Sequence, residues 1–269
     1  MSLLSDVRDS RELLVNLTLR EVRGKYKRTA LGQFWSLLNP LVQMAIFTVV
    51  FGVLIKLRPD PGDPSGLDVF ALWLVSGLLP WAFFSNALNG GMGALIGNAN
   101  LINKVYFPRE TLVLSTVFSW NVSFAIELLV LTAVLLVFGG SPLLFLPLVV
   151  LGVLALTAFA LGIALALSVA NVYFRDTQHF MALFMQLWFY ATPIVYPFKY
   201  VSDNASPTVE TIYRLNPMER FVTVFRNLLY DNRLPALSDS LYALGAAVVT
   251  LAAGWWVFRR YEGRLAEEL

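Results

Sequence analysis

The sequence predicts an all-α integral membrane protein: six transmembrane helices, an N-terminal amphipathic helix at the membrane surface and short helices in an external loop. Three observations carry this. Apolar residue types make up 57% of the 269 residues and charged residues only 14%, against about 45–50% and about 25% in soluble domains. The mean hydropathy is +0.65. The apolar residues also fall into six blocks, each near or above the roughly 20 residues that cross a hydrocarbon core about 30 Å thick. A soluble core of this length could not hide so much apolar surface, whereas lipid accepts it.

Residues 1–34 precede the first block and are charged. Asp9 can cap a helix, with Glu12 three residues later. Val15, Leu19, Val22 and Tyr26 recur on one face at helical spacing, and Arg20, Arg23 and Lys27 on another. A basic amphipathic helix of this kind lies on an anionic leaflet through apolar burial plus charge. The alternative is a solvated helix packed on a partner; the surface reading is preferred.

The six-helix domain spans 35–258, with blocks at 35–55, 70–90, 112–138, 143–171, 180–198 and 241–258, and a tail at 259–269. Blocks three and four are long enough to tilt or to project from the bilayer. The turn Gly139-Gly140-Ser141-Pro142 is too short to hold a domain, so these two form a hairpin. Ala158, Gly162, Ala166 and Ala170 repeat every four residues, and Gly93 and Gly97 form a G-x-x-x-G. Such stripes let helix backbones approach closely, within one chain in preference to a dimer seam.

Orientation follows the positive charges. Arg8, Arg11, Arg20, Arg23, Lys25, Lys27, Arg28, Lys104, Arg109, Arg175, Arg259, Arg260 and Arg264 flank one side, which is the larger share of the 20 Lys and Arg residues. That side, which holds both termini, is predicted to be cytoplasmic. The external loop 199–239 is predicted to be structured. Asn216-Pro217-Met218-Glu219 reads as a helix start, with Asn as cap, Pro at the first position and Glu at the third. Met218, Phe221, Val222, Phe225, Leu228 and Leu229 then form an apolar stripe, and Ser206-Pro207 opens a shorter helix. Two such helices would dip into the outer interface, cover a pore mouth, or form a packed cap.

Several chemistries are excluded. The chain has no cysteine and one histidine, His179, so thiolate and multi-histidine metal sites are absent. It has no phosphate loop, no dinucleotide fingerprint and no H-E-x-x-H. Uphill transport would therefore draw its energy from a partner or an ion gradient. Glu127 is the one firm ionisable residue inside a block, where a charge is costly and often functional. It either meets a polar cargo or partner, or pairs between helices for structure. The dense aromatics of the blocks read first as interfacial belts, with a path-lining role as the alternative.

The order of motifs resembles a known family. Arg23-Gly24-Lys25-Tyr26-Lys27-Arg28-Thr29-Ala30-Leu31-Gly32-Gln33-Phe34-Trp35 leads to Asn39-Pro40. Gly77-Leu78-Leu79-Pro80-Trp81 and Asn100-Leu101-Ile102-Asn103-Lys104-Val105-Tyr106-Phe107-Pro108 follow. Phe174-Arg175-Asp176, Thr192-Pro193-Ile194-Val195-Tyr196 and Asn216-Pro217 complete the series. Over essentially the whole chain this resembles the ABC-2-type permease of bacterial polysaccharide export, the Wzm/TagG type.

The resemblance implies a homodimeric channel in the bacterial inner membrane for a lipid-linked polysaccharide, with two copies of a separate ATPase below. This chain would bind no cofactor, because ATP and Mg²⁺ would be used by the ATPase; no nucleic-acid partner is expected. A coupling segment at 98–110 would use Asn100, Leu101, Asn103, Lys104, Tyr106, Phe107 and Pro108, joined by Arg175 and Asp176 of the next cytoplasmic loop. The first and fifth blocks would border the channel, through Met44, Phe47 and Phe51 and through Phe180, Phe184 and Trp188, with Glu127. Asn216, Pro217, Glu219, Phe221 and Phe225 would belong to an external gate. O-antigen, teichoic acid and a cell-wall galactan all remain open as cargo. The competing readings are a drug or lipid exporter of the same type, and a membrane glycosyltransferase. The latter would need clustered carboxylates, where the loops offer scattered ones such as Asp231.

Overall fold

A computed structural model describes residues 11–25, 34–56, 59–105 and 107–268. The described residues are mostly helical, with no strand among them. In chain order the helices are α1 (Arg11–Lys25), α2 (Phe34–Phe47), α3 (Phe70–Gly97), the single turn α4 (Ala99–Ile102) and α5 (Glu110–Val137). Then come α6 (Leu146–Tyr173), α7 (Thr177–Tyr190), α8 (Phe198–Asn204), α9 (Pro207–Arg214), α10 (Pro217–Arg226), α11 (Leu237–Tyr261) and α12 (Leu265–Glu268). A π-helical stretch, Thr48–Leu54, extends α2, and another, Asn227–Asp231, extends α10.

Four helical segments among the described residues are long and apolar enough to cross a membrane: Phe70–Gly97, Glu110–Val137, Pro142–Tyr173 and Leu237–Arg264. The expectation of six spans meets two shorter pieces. The first block holds the apolar helix Leu41–Leu54. The fifth, α7, has 14 residues and reaches only about 21 Å at 1.5 Å per residue, short of a 30 Å core. After α7 the chain bends through Ala191–Pro197, where Pro193 and Pro197 stop the helix.

Helix α3 is the centre of the bundle. It packs on α5, α6 and α10, and it is buried from Leu72 through Trp81. Pro80 lies inside it, in a fully apolar setting. Helices α5 and α6 form the expected hairpin, whose turn needs glycine because Gly139 adopts φ +92°. Helix α11 packs against α6, and the two backbones meet at Gly162 and Gly254. A Cβ on Gly254 would stand 1.8 Å from the Gly162 carbonyl oxygen, so a side chain there would force the helices apart. The small-residue stripe of α6 thus serves intramolecular packing at Gly162. By contrast, Gly97 has open space around it.

Helix α1 departs from the sequence pattern in which face meets protein. Leu14 and Leu17 are buried and α1 packs on α5, while Val15 and Leu19 stay exposed. The helix therefore has two apolar faces. One is covered by α5, and the face read from the sequence is left for another apolar medium. Tyr26 and Lys27 lie outside the described residues.

The segment between α7 and α11, expected to be external, holds three helices where the sequence suggested two. Helices α8 and α9 are short and largely exposed. Helix α10 turns back into the bundle between α3 and α11. Its stripe, Met218, Phe221, Val222 and Phe225, is at most 1% exposed. Phe221 packs tilted against Phe159, and Phe225 meets Phe124 edge-on. These two residues, expected at a gate, sit in the core because α10 brings enough apolar surface to fill the space beside α3.

Candidate functional site

A cleft of about 620 Å³ opens between α2, α3 and α7. From α3 come Trp81, Ser85, Asn86 and Asn89; three of these recur every four residues and so share one helix face. Asn89 donates to the Ser85 carbonyl at 2.9 Å, which leaves its carbonyl oxygen free to face the cleft. Helix α2 adds Gln43 and Phe47, and α7 adds Gln186, Phe189 and Tyr190. Phe189 joins the three helices: it stacks on Phe47 at 5.9 Å and lies 5.6 Å from Trp81. Among the described residues, no charged side chain lines the cleft. Its polar groups are amides and hydroxyls, which both donate and accept.

A second cleft of about 430 Å³ lies further along α2, lined by Phe51, Tyr196, Tyr200 and Tyr213. The two are linked along α2 by Phe47 and Phe51, whose rings are 6.1 Å apart. They are linked again where the Tyr196 hydroxyl donates to the Tyr190 carbonyl at 2.5 Å.

The expected channel residues are divided among different surroundings. Phe47 lines the amide cleft and Phe51 the second cleft. Met44, about 60° round the helix from Phe47 at 3.6 residues per turn, points instead into an apolar groove between α2, α3 and α5. Glu127 lines that same groove, with Phe34, Leu72, Val75 and Leu79, and not the amide cleft. It is buried, and Lys25 lies close enough to feel its charge. Glu127 is thus placed with a basic residue of α1, away from the neutral cleft. Phe180 and Phe184 stack at 6.3 Å on the exposed side of α7. Trp188 is half-buried and packs on Trp81, Phe84 and Phe159.

Asn216 is a junction. Its side-chain oxygen accepts from the Met218 backbone N–H at 3.0 Å, capping α10 as read from the sequence, with Pro217 at the first position. The same oxygen accepts from Trp188 Nε1 at 2.8 Å, and its amide donates to Thr192 Oγ1 and the Ala191 carbonyl. Glu219 is buried against Arg220 at 3.2 Å. Burial raises the Glu219 carboxyl above its usual range, against the pull of Arg220.

Sequence reading missed Arg226. This buried guanidinium donates to the Pro193 carbonyl at 2.7 Å and the Ile194 carbonyl at 2.5 Å. It also lies 3.7 Å from the Trp73 ring centroid. Gly77 makes room for it, since a Cβ there would meet a guanidinium nitrogen at 2.6 Å. The available signal was an arginine within an otherwise apolar stretch. Lys25 was also missed as a site residue. Its ammonium sits 3.3 Å above the Trp120 ring centroid, and burial pushes its pKa down to about 7 against the pull of Glu21 and Glu127.

At the opposite end, where the resemblance implies a coupling helix at about 98–110, the segment after α3 forms one helical turn, α4, and then an irregular turn. Asn100, Asn103 and Lys104 are exposed, and Leu101, Phe107 and Pro108 are half-buried; Tyr106 lies outside the described residues. Asn103, Lys104, Phe107 and Arg109 line a cleft of about 270 Å³. Arg20 of α1 donates to Asn98 at 2.7 Å at the root of this segment. Arg175 and Asp176 are exposed on the α6–α7 turn, beside an exposed Phe174. No metal-ligating cluster occurs among the described residues.

The sequence family model for "ABC-2 type transporter" matches residues 12–230. The chain is 29% identical over 267 residues to the "O-antigen export system permease protein RfbA" of Myxococcus xanthus, covering 99% of both proteins. It is 28% identical over 262 residues to a protein of the same name from Klebsiella pneumoniae, covering 96% of this chain and 95% of that protein. It is 24% identical over 250 residues to the "Polysialic acid transport protein KpsM" of Escherichia coli, covering 91% of this chain and 92% of that protein.

Proposed function

The chain belongs to the ABC-2 type transporter family, and we propose that it is the membrane permease subunit of an exporter that moves a polysaccharide across the bacterial inner membrane. ATP hydrolysis would take place on a separate ATPase subunit, where ATP and Mg²⁺ bind; this chain carries no phosphate loop.

The observation that carries the reading is the neutral cleft between α2, α3 and α7. A long glycan must be held weakly at many places, so that no site traps it. Gln43, Asn86, Asn89 and Gln186 can exchange hydrogen bonds with sugar hydroxyls, and Phe47, Trp81 and Phe189 offer ring faces to sugar C–H groups. Charged side chains would have to be desolvated at each step, and the described residues of the lining include none. The names of the relatives, O-antigen export permease and polysialic acid transport protein, support the same cargo class.

The cleft is open on one side. Val42, Ile46 and Val49 of α2, and Phe180, Leu183 and Leu187 of α7, remain exposed beside it. A second copy facing it would close the path, so the working unit is a homodimer. The cleft at Asn103, Lys104, Phe107 and Arg109, with the Phe174–Asp176 turn, is the proposed seat of the ATPase, and in this reading both termini are cytoplasmic. Phe107→Ala removes an anchor worth about 1–3 kcal/mol at a hot spot and should uncouple hydrolysis from export.

The decisive experiment is reconstitution of the permease with its ATPase in vesicles. ATP-dependent appearance of lipid-linked glycan on the far side is expected. Transport of small amphiphiles or lipids with no glycan flux would overturn the cargo.

A further inference from the structure

We infer that the C-terminal tail is a brace that positions the coupling segment, through Arg259 and Glu262 acting on Arg109 and Glu110. This rests on the reading above only in that the segment after α3 receives the stroke of an ATPase.

The contacts are specific. Glu110, the first residue of α5, is 1% exposed. Arg259 near the end of α11 reaches its carboxylate at 3.3 Å and Glu262 at 3.2 Å. The first contact is an ion pair without the alignment of a hydrogen bond. The Trp255 ring holds the Arg259 guanidinium from the other side, 4.7 Å from the centroid. Arg109, which ends the coupling segment, donates to the backbone carbonyl of Glu262. The tail itself is fixed: Leu265 and Phe258 are fully buried, and Tyr261 meets the Tyr173 ring edge-on at 5.9 Å.

The mechanical consequence follows from the close contact of α11 with α6 at Gly254, five residues before Arg259 on the same helix. Gly162 and Gly254 lock α11 to α6 with no room for a methyl group, so these helices move as one body. The Arg259–Glu110 and Arg109–Glu262 contacts bolt the start of α5 to that body. A push on residues 98–109 then moves α5, α6 and α11 together, instead of being absorbed as slack where the coupling segment enters α5. Arg259 and Glu262 are positioning residues, because they act on cargo movement only through the segment they hold.

The chain has no cysteine, so the brace can be read by spin labels at Val105→Cys and Gly263→Cys in the full permease–ATPase complex. The parent should give one narrow distance distribution. Arg259→Gln should broaden it, and Arg259→Lys and the exchanged pair Glu110→Lys with Arg259→Glu should narrow it again. In the same complex Arg259→Gln should lower glycan export about tenfold, within the usual range of coupling between sites, while ATP hydrolysis stays within about twofold. Glu262→Gln, which leaves the Glu110 contact in place, should give an intermediate loss, and it serves as the second variant if Arg259→Gln does not accumulate. An unchanged distribution in these variants overturns the brace, as does a broadened distribution with export per ATP at the parent level. A broadened distribution in a complex that hydrolyses ATP but exports no glycan even in the parent supports the brace and instead defeats the assigned cargo.

Discussion

The indole N–H of Trp188 donates to the side-chain oxygen of Asn216 at 2.8 Å, tying the end of α7 to the start of α10 across 28 residues of sequence. The same oxygen caps α10, so one atom fixes the helix start and the orientation of the indole. Trp188 is therefore a fastened part of the bundle and not a freely presented ring.

Asn216→Ala should lower stability by about 1.5–5 kcal/mol, combining a lost cap of about 0.5–2 kcal/mol with a stranded indole donor costing about 1–3 kcal/mol. Trp188→Phe keeps the ring contacts, and should lose only about 1 kcal/mol. Melting temperatures of the purified permease check both. Equal losses in the two variants would mean that the cap and the amide bonds to Thr192 and Ala191 contribute nothing.

Gly77 and Arg226 should behave as one unit. Gly77→Ala drives a methyl group into the guanidinium, breaking its bonds to Pro193 and Ile194. A loss of about 1–3 kcal/mol is expected for the uncoupled buried polar groups. In a double-mutant cycle with Arg226→Met the two effects should be strongly non-additive. Simple addition would show that Gly77 does not act through Arg226.

The neutrality of the amide cleft should matter more than its aromatics on the open side. Asn86→Asp places a charge on an exposed cleft position without touching the core. If passage of the glycan costs an added 1.4 kcal/mol there, export slows about tenfold, with membrane levels unchanged. Vesicle flux measures it. Wild-type flux would mean that the glycan does not pass this cleft.

Lys25 should make α1 docking depend on pH. Its amine sits at about 7 when docked, lowered by burial from 10.5. Between these values the undocked helix binds more protons than the docked one, so docking strengthens as pH rises through that window. Below about 7 both forms are protonated and the penalty is complete. Spin labels at Glu12→Cys and Asn100→Cys should report tighter docking at pH 9 than at pH 6, and Lys25→Met should remove the difference. A pH response that persists in Lys25→Met assigns it to another group.

The sequence by itself determined the solvent, the four long apolar helices, the α5–α6 hairpin and the start of α10. All of these are local. Hydropathy is a sum over a window, Gly139 must be glycine where φ is positive, and the Asn216-Pro217 cap is written in adjacent residues. Tertiary structure decided what each helix face meets. Met44 and Phe47 sit one turn apart on α2, yet one joins Glu127 in an apolar groove and the other lines a polar cleft. That division depends on α3 passing between them. The apolar stripe of α10 is equally fit for an interface or a core, and the space beside α3 made it core. Arg226 looked like a surface charge until the bend after α7 brought two free carbonyls within its reach. Periodicity gives the direction of a side chain about its own axis. Only the close approach of other helices, set at contacts such as Gly162 with Gly254, determines whether lipid, protein or an open cleft lies in that direction.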